Sequence, residues 1–131
     1  MKNTILQKFL LIAVIGLFAQ FSTAQEVSAN AAAAKQIADI VVSLNHFPSD
    51  ADKATLATIS GNTALAQDLR DMADAVTNIQ HAATAEDKTT LAAIEASADT
   101  PDRGKALAGI IGSLNHMASA DAKAELAQLF P

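Results

Sequence analysis

The sequence predicts an all-α fold: three 35-residue helix–turn–helix repeats, six helices in all, forming a short α-solenoid or a closed helical bundle. Three observations predict it. "SLNHFPSDADKATLATI" from Ser43, "TNIQHAATAEDKTTLAAI" from Thr77 and "GSLNHMASADAKAELAQL" from Gly112 echo one another at a constant 35-residue interval. Within each unit, apolar residues return with the period of a helix. Alanine, the strongest helix former, is the commonest residue of the chain.

Ahead of the repeats, residues 1–24 read as a secretory signal peptide. Lys2 and Lys8 supply a positive start, Phe9 to Phe21 a 13-residue apolar run, and Ser22 to Ala24 small residues for cleavage. That run is short of the roughly 20 residues a membrane-spanning helix needs, so cleavage is expected, with no membrane span afterwards. No cysteine follows it to carry a lipid. Gln25–Pro131 is therefore expected to be a single all-α repeat domain, periplasmic or secreted.

Charge narrows the partners. Of 9 basic residues, Lys2 and Lys8 leave with the signal; 7 then face 14 acidic residues, a formal charge of −7. Phe47 and Phe130 are the only aromatic residues beyond the signal, and the chain has no Trp or Tyr. An acidic chain without stacking side chains lacks what nucleic-acid binding requires, so no nucleic-acid partner is expected. With no cysteine there is no disulfide, and stability has to come from burial.

The units run 27–61, 62–96 and 97–131. Identical columns are Ala38/Ala73/Ala108, His46/His81/His116, Lys53/Lys88/Lys123, Leu56/Leu91/Leu126 and Ala57/Ala92/Ala127. Apolar columns are Ile37/Met72/Leu107, Val41/Val76/Ile111, Leu44/Ile79/Leu114 and Ile59/Ile94/Leu129. In the first helix of the middle unit, Leu65, Leu69, Met72, Val76 and Ile79 form one amphipathic stripe. Thr100 is expected to cap the first helix of the last unit, with Pro101 at its first position and Asp102 favoured by the helix dipole. Pro48 bars α conformation at Phe47 and so ends the first helix of unit one.

Each second helix opens at a hydroxyl suited to the N-cap: Ser49, Thr84 or Ser119. Ser49 with Asp52, and Thr84 with Asp87, have the spacing of a capping box; Ala122 denies it to the third unit. Gly61 suits the C-terminal end of the first of these helices. A helix pair cannot bury its apolar stripe alone, so the pairs have to pack on one another.

The histidine column admits two readings. His46 lies about 180° from Ile37 on a 3.6-residue period, off the apolar stripe. The first reading puts each histidine in the last helical turn, bonding free carbonyls, with Asn45, Gln80 or Asn115 beside it to close the helix. The second is metal: three imidazoles with an open position suit zinc or copper. An open stack would hold equivalent residues about 8–10 Å apart, too far for one ion. A closed bundle could bring them to its axis.

The lysine column is expected to be solvated, with an inter-unit salt bridge as the alternative and a substrate-facing role as the third reading. Catalysis is not expected: there is no cysteine nucleophile, no repeated pair of acids, and Ser43 and Ser113 have no serine counterpart in the middle unit, where Asn78 stands. The expected role is non-enzymatic, protein–protein binding or self-association, since stacked repeats offer extended surfaces. The alternative is a periplasmic zinc- or copper-binding protein using His46, His81 and His116.

Overall fold

The structure, a computed structural model, describes residues 29–131, so the signal expected at 1–24 lies outside the described residues. Those residues form six helices and no strand. Helix α1 occupies 29–43, followed by α2 (Asp50–Ser60), α3 (Gln67–Thr77), α4 (Ala85–Ala96), α5 (Asp102–Ser113) and α6 (Ala120–Leu129). Among the described residues no helix is long and apolar enough to cross a membrane.

The second helix of each pair starts where the hydroxyl columns place it. Ser49, Thr84 and Ser119 are the N-caps, their side chains accepting from the N–H groups of Asp52, Asp87 and Ala122 at 3.1 Å. Only the first cap closes both ways: the Asp52 carboxylate accepts the Ser49 N–H at 3.1 Å. At Ser49 and Thr84 alike the hydroxyl also donates to the aspartate, at 2.7 Å. Gly61 does cap α2, with φ −78°, so its N–H reaches back to Ala57 and Ile59 without any left-handed residue.

One capping expectation is corrected. Pro101, not Thr100, takes the N-cap position of α5, and no side chain caps that end. Thr100 is buried, and its hydroxyl donates to the carboxylate of Asp68 in the first turn of α3. A hydroxyl removed from water has to find an acceptor, and the one within reach belongs to the neighbouring pair.

The apolar columns form one core. Ile37, Met72 and Leu107 are buried, as are Val41, Val76 and Ile111, and from the second helices Leu56, Leu91 and Leu126. Ala38, Ala73 and Ala108 are buried between them, and small side chains there allow close helix approach. The Ala57, Ala92 and Ala127 column, by contrast, is exposed. Packing crosses the pairs: α2 lies on α3, α4 on α5, and α3 meets both α4 and α5. The far ends meet too, since Lys35 Nζ donates to the Phe130 carbonyl at 3.3 Å.

Candidate metal centre

The three first helices stop earlier than the column spacing suggests. Leu44, Ile79 and Leu114 donate their N–H groups three residues back, to Val41, Val76 and Ile111, at 3.2 to 3.4 Å. Such i→i+3 bonds tighten a last turn, and they tuck these three apolar side chains into the core. The histidines therefore lie beyond the helices rather than in their final turns. That corrects the expectation of imidazoles bonding helix carbonyls.

Each histidine instead sits at the centre of a very tight turn. His46, His81 and His116 have φ of 69°, 71° and 68°, the only non-glycine residues with positive φ among those described. The Phe47 N–H reaches the Asn45 carbonyl at 2.9 Å and the Met117 N–H reaches that of Asn115 at 2.8 Å. An i→i+2 bond over a residue near +70° is the rarer, strained γ-turn.

What holds that conformation three times is a ring of main-chain bonds. The His46 N–H donates to the His116 carbonyl at 2.6 Å, His116 to His81 at 2.6 Å, and His81 to His46 at 2.7 Å. Each histidine gives one bond and takes one. A positive φ in a residue with Cβ costs about 1–2 kcal/mol, and the ring satisfies peptide groups that would otherwise lie unpaired behind the turn.

The side chains gather in front of the ring. Their ring centroids are 5.2, 5.1 and 5.0 Å apart, two pairs edge to face and the third tilted. One ligating nitrogen from each lies within 4.8 Å of the other two. Three points at most 4.8 Å apart have a centre no more than about 2.8 Å from each, whereas zinc–imidazole bonds are about 2.0–2.1 Å. An inward swing of well under 1 Å by each ring would close that gap, a movement that side-chain rotation can supply.

Two of the rings are already oriented. Nδ1 of His46 lies 2.6 Å from Asn45 Oδ1, and Nδ1 of His116 lies 2.6 Å from Asn115 Oδ1. An amide oxygen only accepts, so Nδ1 carries the proton and Nε2 keeps its lone pair. Outer partners of this kind fix the tautomer of metal-binding histidines. His46 is half-buried while His81 and His116 are exposed, so a bound ion would keep a side open to solvent.

The sequence placed the three histidines at one phase but gave no sign of their turn. A pointer was present in the residue type, since histidine, with Asn and Asp, tolerates positive φ better than other side chains. The lysine column is not part of the centre: Lys53 and Lys88 are exposed, Lys123 half-buried, and none forms an ion pair among the described residues. Phe47 and Met117, each following a histidine, are the exposed large apolar residues among those described, at 62% and 47%. Comparison with known protein families, with curated proteins and with solved structures gives no match to this chain.

Proposed function

We propose that the protein binds a transition-metal ion, zinc or copper, through His46, His81 and His116. The observation that carries the proposal is the convergence of three ligating nitrogens to within 4.8 Å of one another, from three separate helix pairs. Imidazole suits both ions, and three such ligands leave a position for water or a substrate. The tautomer set by Asn45 and Asn115 supports the same reading.

The frame belongs to this proposal. Three copies of one helix–turn–helix module close about an approximate threefold axis, and the ligand column falls where the copies meet. The ring of histidine peptide bonds and the Lys35–Phe130 contact support a closed bundle over an open stack. Export to the periplasm or beyond, directed by residues 1–24, completes it. Mass spectrometry of the protein recovered from its host should find Gln25 at its start.

Thermal denaturation tests the metal. Zinc or copper at about 100 times its Kd should stabilise the protein by about 2.7 kcal/mol. The rise should vanish in His81→Gly, which keeps the turn's backbone freedom. No shift of the wild-type midpoint with either ion removes the proposal. Protein–protein binding remains the second reading, favoured by the exposure of Phe47 and Met117; sedimentation of the apo protein would reveal self-association.

A further inference from the structure

A cleft of about 520 Å³ opens beside His81, between the first and second helix pairs. Its wall includes the exposed Phe47 ring, Lys53, Asn78 and Thr84. Asn78 and Thr84 both donate to the Asp87 carboxylate, at 3.3 and 2.7 Å. The Lys53 ammonium has no ion-pair partner among the described residues. One apolar plate, one unpaired cation and one ligand of the metal centre thus border the same space. The other pairs do not repeat it, because Ala82 and Met117 stand where Phe47 does.

We propose that the zinc-loaded protein hydrolyses small carboxylate-bearing esters, bound with their apolar body on Phe47 and their carboxylate on Lys53. The inference rests on the metal reading above and adds a substrate class to that site. Zinc held by the three neutral imidazoles would supply hydroxide at neutral pH, because such sites lower the pKa of bound water to about 7. Hydroxide would add to the ester carbonyl carbon, the acyl–oxygen bond would break, and the alkoxide would leave with the bonding pair. The alkoxide would take its proton from the next water, restoring the hydroxide, and the acid product would ionise and release one proton to solvent. No cysteine, serine or paired acid is needed, which is why the sequence offers no catalytic signature for it.

The test uses the purified protein with zinc chloride and two chromogenic acetates, 4-nitrophenyl acetate and its carboxylate-bearing counterpart 5-acetoxy-2-nitrobenzoate, whose ring holds the carboxylate too far from the ester to attack it. Zinc binding is followed separately, by the thermal shift. The zinc-loaded wild type should turn over the nitrobenzoate at least roughly tenfold faster than zinc-treated His81→Gly. It should also prefer the nitrobenzoate over 4-nitrophenyl acetate in kcat/KM, and Lys53→Ala should cut that preference by about fivefold, as loss of an exposed charge pair of about 1 kcal/mol would. A thermal shift without turnover above His81→Gly overturns the inference and leaves the metal reading standing. Turnover with no preference between the esters overturns the assigned substrate class. Absence of a thermal shift removes both.

Discussion

His46, His81 and His116 combine a strained backbone with a freely presented side chain. Their φ values near +70° are tolerable only because neighbouring peptides bond around the ring. A substitution there changes two things at once, the imidazole and the conformational penalty. Glycine removes both, whereas alanine removes the imidazole alone. His116→Gly should therefore be more stable in the apo state than His116→Ala by about 1 kcal/mol, read from urea denaturation. Equal midpoints for the two would show that the turn is not strained as described. At this scale the sequence was half legible. The shared phase of three histidines was plain, but counting by 3.6 assumes an uninterrupted helix, and these helices end before the histidine. Thr100 misled for a related reason: its local context suggests a cap, while its partner Asp68 lies 32 residues away in sequence.

The elements were the most readable level, because helix ends are set by local chemistry. Hydroxyl N-caps recur at Ser49, Thr84 and Ser119, and all three begin a helix as their spacing indicates. The caps are not equal in strength. Ser49 satisfies one backbone donor and Asp52 a second, while Ser119 works alone. Ser49→Ala should cost about 1–2 kcal/mol and Ser119→Ala about 0.5–1 kcal/mol by chemical denaturation. Ser49→Ala also loses the hydroxyl bond to Asp52 at 2.7 Å, and the reverse ranking would argue against that bond's contribution. The apolar stripes were equally clear: each marks a buried face, as Ile37, Met72 and Leu107 show. A stripe does not name what it packs against, since any complementary apolar surface removes it from water.

Over the whole molecule, the proposed closure of the three pairs was the least legible feature. Open and closed arrangements bury the same columns, and what separates them is a set of contacts between residues 35, 70 and 95 positions apart. Those contacts are main-chain bonds through the histidines and the Lys35–Phe130 bond, neither of which an apolar pattern encodes. They predict concerted behaviour. A chain shortened to end at Ala96 loses α5 and α6, two of the three ring bonds, and the cover over α3 and α4. It should show little helical circular dichroism, whereas two pairs of an open array would keep most of theirs. A folded, cooperative remnant would contradict the closed arrangement. The ring of peptide bonds carries one more implication. Where every member both gives and receives, none is first or last, so no specialised end piece with a polar outer face is required, unlike in linear arrays. Among the described residues every histidine peptide group of the ring is already paired, so in the proposed closed arrangement a fourth copy could enter only by prising the ring apart.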